Sequence, residues 1–313
     1  MKKCVLVLLC LGLVCALLPG NATAATEADK RAAIDAGLVW LASTQAANGS
    51  WNAGDVYYDT SATGASLLAF LEEKDNWGAN AATYQTVVDD GLNYLLSQAQ
   101  VVGISGQTAG NPDGDGNGVG VKFVLGGNNN RDTYVTGLVL PAIASSGTPN
   151  ALVTSGPLAG RIDGSGTGGA WTYRDVVQNT VDYFAFGQND IEDGVHRGGW
   201  RYYANFGNSD QSTTQWPVIA SLYASKMGVS TPGFVATELA NWTNYIQNPA
   251  GYAGYQHPTG PLGEVNETGS LLIQQAYLGW GTSDARVQSA LNWLNGAWQT
   301  TANFTWDGNF GHP

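Results

Sequence analysis

Cysteine is nearly absent from this chain. Of 313 residues only 3 are cysteines, Cys4, Cys10 and Cys15, and all three fall within the first 24 positions. The remainder can form no disulfide even in an oxidising compartment, so its stability must come from a packed core. Basic residues are also scarce, at 13 Lys and Arg against 25 Asp and Glu. Residues 1–24 carry 2 of the basic residues and none of the acidic ones, which leaves a net charge of −14 on the rest. Binding to nucleic acid, or to an anionic membrane surface, needs clustered cations, and none are present. Long apolar runs are missing after the N-terminus, so no membrane span is expected in the mature chain.

The one apolar run is N-terminal. Lys2 and Lys3 precede an apolar stretch to Leu18, then Pro19-Gly20 and small residues at Ala22 and Ala24. The run is shorter than the roughly 20 residues that cross a bilayer, and the order of charge, apolar run and small residues is that of a secretory signal peptide cleaved after Ala24. Residues 1–24 are therefore read as a signal, residues 25–313 as one exported domain, and the destination as periplasmic or extracellular.

What the chain has in abundance is a repeat. The stretch LVWLASTQAANGSW (38–51) pairs an aromatic with an aliphatic residue, then places a glutamine, a glycine and a tryptophan at fixed distances. Similar pairs recur at Tyr94-Leu95, Tyr183-Phe184, Tyr245-Ile246 and Trp293-Leu294, followed by Gln98, Gln188, Asn248 and Trp298. In the first unit the pattern predicts that Trp40 and Leu41 face a neighbouring helix, Gln45 bonds at a helix end, Gly49 turns the chain, and Trp51 covers the junction beyond. Each unit then leads into a second apolar segment: DTSATGASLLAFLEE from Asp59, DTYVTGLVLPAIASS from Asp132, DQSTTQWPVIASLYASK from Asp210 and NETGSLLIQQAYLG from Asn266. An acid or amide side chain ahead of an apolar run is an N-cap signal, so the repeat predicts helix, loop, helix. Helix pairs of this kind bury their apolar faces by stacking on neighbours, into a solenoid or a closed ring. The Gly/Asn/Asp-rich stretches NPDGDGNGVGVKFVLGGNNN (111–130) and SGPLAGRIDGSGTGGAWTYR (155–174) are read as loops or short hairpins. After ARVQSALNWLNGAWQ the chain ends with FTWDGNFGHP and no second apolar segment. That is read as about four and a half pairs, the last either capped differently or cut short at the C-terminus.

The spacing aromatic-Leu-x3-Gln-x3-Gly-x-Trp from Trp40 to Trp51, together with GGWRYYANFGNSDQSTTQWPVIASLYASK from Gly198, resembles the QW-type repeats of the squalene–hopene cyclase and protein prenyltransferase superfamily. The nearest likeness is to exported bacterial proteins described as prenyltransferase/squalene oxidase repeat proteins. The resemblance implies an all-α fold, an α/α toroid with long Gly-rich loops, in which outer helices carry the aromatic pairs and inner helices line a central cavity. The leading functional expectation is a noncatalytic toroid that binds a hydrophobic or carbohydrate ligand, a lipid or a glycan, in its central cavity. Two other roles compete: a terpene-cyclase-like lyase or isomerase, or a polysaccharide lyase on an α/α scaffold; and a protein-interaction module.

The chemistry the superfamily is known for is not supported by the residues. Cyclisation started by protonation needs a paired acid ahead of an inner helix, but Tyr58, Arg131 and Ser209 precede the three aspartates. Asp190, Glu192 and Asp193 form a DxED string and are the candidate acid catalysts, against the plainer reading of a solvated acidic loop. The zinc of prenyltransferases needs a cysteine that the mature chain lacks, and His196, His257 and His312 are not spaced as a ligand set. Asp113, Asp115 and Asn117, followed by Gly118, match positions 1, 3, 5 and 6 of an EF-hand-like loop and mark a candidate calcium site, although position 12 is Val124 instead of Glu. Finally, Asp59, Asp132, Asp210 and Glu267 stand at equivalent places in the repeat. As N-caps they need no ligand. As a ring with Trp51, Trp171, Trp200 and Tyr202 they would form an acidic, aromatic-rimmed site for a sugar or an organic cation.

Overall fold

The computed structural model describes residues 25–53, 58–123, 131–162, 168–259 and 264–299. Residues 1–24, read above as a signal, Val124, and residues 300–313 lie outside the described residues. The chain divides into two compact units, Met1–Ser43 and Thr44–Pro313. In the first, helix α1 (Glu27–Thr44) starts at Thr26, whose hydroxyl accepts from Asp29 N at 3.1 Å while Asp29 Oδ2 accepts from Thr26 N at 2.9 Å. This reciprocal capping satisfies two donors that the first helical turn would otherwise leave open. Leu38 is buried in α1, but Trp40, expected to pack on a neighbour, is 63% exposed.

In the second unit helices alternate in two sets. One set is α2 (Asp59–Glu72), α4 (Asp132–Ser145), α6 (Gln211–Ala224) and α8 (Glu264–Tyr277), each packed against the next in chain order. The other set is α3 (Ala81–Ser97), α5 (Tyr173–Gly187), α7 (Gly233–Ile246) and α9 (Ala285–Gln299), which pack on members of the first. The first set corresponds to the segments read as inner helices, and the second, with α1, to those read as outer ones. α4 is buried from Asp132 through Ala144 save for Tyr134 and Leu138, because it lies between α2, α5 and α6. Between α3 and α4 the 111–130 stretch contributes one strand of an antiparallel hairpin, β1 (Ala99–Gly103) with β2 (Val119–Phe123), Ala99 facing Phe123. Mostly helical, with this one two-stranded ribbon among the described residues, the chain is in the all-α class.

The repeat is held together by two recurring hydrogen-bond devices. At the ends of α1, α5 and α7 a glutamine amide bridges two backbone carbonyls. Gln45 Nε2 donates to Gly49 O (3.0 Å) and Val87 O (2.8 Å). Gln188 donates to Gly198 O (2.9 Å) and Val235 O (3.1 Å), and Gln247 to Gly251 O (3.1 Å) and Arg286 O (2.9 Å). Each thus ties its own turn to the start or middle of the following helix of the same set, giving the glycine carbonyl of the turn a donor and adding a second bond to a helix carbonyl. In the fourth unit the bridging residue is therefore Gln247, not Asn248, and in the second Gln98 reaches only Ser97 Oγ. The glycine of the motif has positive φ, and a Cβ there would sit 2.2 Å from Asp90 O at Gly49, 1.9 Å from Glu238 O at Gly198 and 2.4 Å from Ser289 O at Gly251. Only glycine permits both the turn and the contact with the next helix.

The second device fixes the first-set helices. Two residues past the glycine, a backbone N–H donates to a threonine hydroxyl: Trp51 N to Thr63 (3.0 Å), Trp200 N to Thr214 (3.1 Å) and Ala253 N to Thr268 (3.0 Å). In the second unit Phe123 N at the end of β2 takes the same place and donates to Thr136 (3.0 Å). The hairpin is therefore an insertion that keeps the repeat's connection intact. This register corrects one alignment made from sequence. Thr268 matches Thr63, Thr136 and Thr214, so the residue equivalent to Asp59, Asp132 and Asp210 is Glu264, and Glu267 lies three residues further into α8, 2% exposed.

Candidate functional site

A cavity of about 370 Å³ opens between the N-terminal halves of α2 and α4. Ser61, Ala62 and Ala65 line it from α2, Tyr134, Val135 and Leu138 from α4, and Ala53, Tyr58, Arg131 and Tyr202 from the loops before these helices and beyond α5. Small side chains on α2 leave the space; aliphatic ones on α4 make its floor apolar. The volume is within the range of small-molecule sites, and the combination of an apolar floor with a few polar groups is typical of them. Among the described residues Arg131 is the one charged side chain in the lining. Its Nη1 donates to the Tyr58 hydroxyl at 3.2 Å, and its guanidinium lies 5.7 Å from the Tyr202 ring centre.

The walls are held by backbone and buried polar contacts. Tyr202 O accepts from Thr133 N at 3.1 Å, which docks the Tyr202 loop on the start of α4. Asp59 Oδ1 accepts from Ala53 N at 3.0 Å and fixes the opposite rim. Tyr134 shares a short hydrogen bond with Ser212, whose hydroxyl also donates to Asp210 Oδ1 at 2.9 Å. Asp210 caps α6 by accepting from Thr213 N at 2.7 Å, and it accepts from the Tyr255 hydroxyl at 3.2 Å. Arg201 Nε lies 3.4 Å from Asp210 Oδ2, an ion pair without hydrogen-bond geometry, and its guanidinium stacks over Tyr202 at 4.9 Å. The Asp210 side chain is fully buried, and this burial pushes its carboxyl above the ordinary range despite Thr213, Ser212 and Arg201 favouring the charged form. Burial likewise raises the Tyr134 and Tyr255 hydroxyls, with the nearby Asp210 charge adding to it, so both stay protonated donors at neutral pH.

A histidine pair lies near the same Arg201. Tyr245 Oη and His257 Nδ1 are 2.8 Å apart, the His196 and His257 ring centres 5.8 Å, and His196 Nδ1 accepts from Ser209 N at 3.2 Å. Burial, then His257 and Arg201, pull the His196 pKa below its usual value, so its ring is neutral at pH 7.

Several residues singled out in the sequence have other roles. Only Tyr202, of the six ligand candidates, lines the cavity. Trp200 is 2% exposed, and its Nε1 donates to Phe184 O at 2.8 Å, so it belongs to the core; Trp51 and Trp171 are buried as well. Of the three aspartates only Asp210 is a cap. Asp59 and Asp132 are the first residues of their helices, and the Asp132 carboxylate pairs with Lys122 Nζ at 2.5 Å. The three aspartates thus present no ring of bare negative charge to the cavity, because each is turned to local donors. The candidate catalysts are also engaged. Asp190 accepts from Thr108 N (2.6 Å), Ala109 N (2.9 Å) and Ile191 N (2.8 Å), Asp193 caps back onto Asp190 N (2.9 Å), and Glu192 accepts from the Thr108 hydroxyl (2.7 Å). They fasten the segment after β1 to the turn at Ile191–His196, and no cavity residue is among their partners. Sequence reasoning passed over Tyr58, Arg131 and Tyr134. Tyr58 and Arg131 share a repeat position, the one immediately before the aspartate, and that shared position was the available signal.

The Asp113 loop is built as a closed turn. Asp113 accepts from the backbone N–H groups of Gly116 (2.8 Å), Asn117 (3.1 Å) and Gly118 (2.8 Å). Asn117 serves as a brace: its amide nitrogen donates to Asp115 Oδ2 at 3.0 Å and Asn179 Oδ1 at 2.8 Å, and its oxygen accepts from Val119 N at 2.8 Å. Asp182, from the middle of α5, joins Asp113 and Asp115, and one carboxylate oxygen from each lies within 4.8 Å of the others. Burial pushes the Asp182 carboxyl up to about 7, with the negative charges of Asp115 and Asp113 contributing.

No helix among the described residues is long and apolar enough to cross a membrane. No protein-family model, curated protein or solved structure matches this chain.

Proposed function

We propose that this chain is an exported α/α-toroid protein of the squalene-cyclase and prenyltransferase superfamily type, and that it binds an acidic carbohydrate in the cavity between α2 and α4. The toroid reading is supported by the alternation of two helix sets and by the glutamine bridge that recurs at Gln45, Gln188 and Gln247. The ligand reading rests on one observation: among the described lining residues the one charged side chain is Arg131, set among the tyrosines Tyr58, Tyr134 and Tyr202 over an apolar floor. Tyrosine rings suit the apolar faces of a sugar, their hydroxyls suit its polar edges, and a guanidinium accepts a carboxylate through two parallel hydrogen bonds. An organic cation is disfavoured by the same arginine.

Titration calorimetry with uronic-acid oligosaccharides, neutral oligosaccharides and a long-chain isoprenoid alcohol tests this. Saturable binding is expected for the uronic-acid series and is expected to disappear in Arg131→Ala. Binding confined to the isoprenoid, or uronate binding indifferent to Arg131→Ala, would refute the proposal.

A second reading, a polysaccharide lyase, is favoured by His257, hydrogen-bonded to Tyr245 and set beside His196, itself near Arg201. An elimination needs a base to take a proton beside a carboxylate whose charge a cation holds, and these residue types supply both. Incubation with a polyuronate then generates an unsaturated sugar detectable by its ultraviolet absorbance; binding without that product leaves the protein a noncatalytic receptor.

A further inference from the structure

The acidic loop after β1 lacked its last ligand in the sequence, since position 12 of the calcium pattern falls on Val124. The fold supplies an acid from elsewhere. Asp182 belongs to α5, far along the chain, and its side chain is fully buried. One of its oxygens accepts from Gly114 N at 3.1 Å and from Gln178 Nε2 at 3.0 Å. The other, Oδ2, is buried and has no hydrogen-bond partner. A buried carboxylate oxygen without a donor, beside two further carboxylates, is an arrangement that a cation resolves and that an apolar setting does not. Gly114 suits the close approach: a Cβ there would lie 2.9 Å from Asp182 Oδ1 and 2.8 Å from Gln178 Nε2, so a larger residue would displace the two side chains that meet the loop.

We propose that Asp113, Asp115 and Asp182 form a calcium site that fastens the Asp113–Gly118 loop to α5. The donors are all oxygen, with no histidine or cysteine in the cluster, which selects a hard cation over zinc or copper. Calcium is favoured over magnesium because two of the carboxylates come from a glycine-rich loop, which adapts to a large and irregular coordination shell, whereas magnesium demands near-ideal octahedral geometry. Asn117 stays outside the ligand set as the brace between Asp115 and Asn179. The ion would be structural: the same segment carries Gln107 and Thr108, which bond to Phe186 O and to Asp190, so its seat on α5 also sets the loop that leads toward His196.

The test is calorimetric titration of the full-length chain, stripped with a chelator, with calcium chloride and separately with magnesium chloride. Thermal unfolding is followed in parallel. One calcium per chain is expected to bind and raise the melting temperature, with magnesium binding more weakly. Asp115→Asn, at an exposed position, and Asp182→Asn are each expected to weaken calcium at least about tenfold. Absence of calcium binding at millimolar concentration, equal affinity for magnesium, or unchanged affinity in either folded variant would overturn the assignment. Should Asp182→Asn fail to fold by circular dichroism, Asp115→Asn decides the matter alone.

Discussion

Alanine in place of Gly64 should destabilise the protein, although alanine is the better helix former. In an unobstructed helix the exchange gains about 1 kcal/mol, since glycine loses more backbone entropy on folding. At Gly64 in α2 the new Cβ would lie 2.6 Å from Leu138 O, 3.0 Å from Leu138 C and 3.1 Å from Val139 Cα. All three atoms are backbone of α4, so no side chain can rotate out of the way, and the two helices must part. Overpacking of this kind costs about 1–3 kcal/mol, and contacts this short with backbone belong at the upper end. The net expectation is a loss of about 1–2 kcal/mol, set by the propensity gain and the packing cost together. Gly269 provides the control. It follows Thr268 as Gly64 follows Thr63, it is helical, and its Cβ would meet nothing within 4 Å among the described residues. Gly269→Ala should therefore stabilise, by up to about 1 kcal/mol. Denaturant unfolding of the two variants beside the wild type reads the sign directly, and each kcal/mol corresponds to about 2–4 °C in a thermal scan of a domain this size. Because α2 and α4 flank the cavity, Gly64→Ala should also weaken its ligand. A Gly64→Ala variant as stable as Gly269→Ala would refute the close approach of α2 to α4.

Other expectations follow from individual contacts. Gln188→Ala leaves the Gly198 carbonyl without its donor in the core, removes the tie to Val235 O and should cost about 1–3 kcal/mol, whereas Gln98→Ala, which loses a bond to Ser97, should stay within about 0.5 kcal/mol of wild type; equal losses in denaturant titrations would contradict the bridging role. Trp200→Ala should lower stability by about 3–5 kcal/mol as a core truncation, and the milder Trp200→Phe should leave ligand affinity unchanged; loss of affinity without loss of stability in Trp200→Phe would return this residue to the ligand site. The raised carboxyl of Asp210 sets a pH dependence. A buried acid that holds its proton more tightly when folded contributes stability that is complete below the unfolded Asp range near 3.9 and is lost as pH rises through the folded value. Wild type should thus lose stability relative to Asp210→Asn as pH rises from acid to neutral, measured by denaturant unfolding at each pH; a relative gain would show that Arg201 and the α6 N-terminus outweigh burial.

How much of this was legible in the sequence depends on how local the determinant is. The helix pairs could be read because aromatic-aliphatic pairs and Thr-led apolar runs act within one turn. Gln45 and Gly49 could be assigned a helix-end bond and a turn, but their second partners, Val87 O and Asp90 O, lie on another helix and have no local signal. The alignment of Glu267 failed because Asn266 and Glu267 imitate a cap, while the true register is set by Thr268 accepting from Ala253 N across a loop. Asp59 and Asp132 carry the letters of N-caps, but nearby donors, Ala53 N and Lys122, take their carboxylates instead. The cavity was missed because its arginine and tyrosines are ordinary loop and helix residues until α2 and α4 come together. Asp182 is the extreme case, a core position on an amphipathic helix whose partners arrive from a loop far behind it in the chain.

The central claim is that the cavity between α2 and α4 holds an acidic glycan through Arg131 and its tyrosines. Native mass spectrometry of the protein recovered from its source, beside an Arg131→Ala/Tyr202→Ala variant recovered in the same way, tests it most directly. The wild type should carry a mass that fragments as a uronic-acid-containing glycan, and the variant should carry none. A wild type free of bound glycan, or a variant that retains the same mass, would contradict the claim.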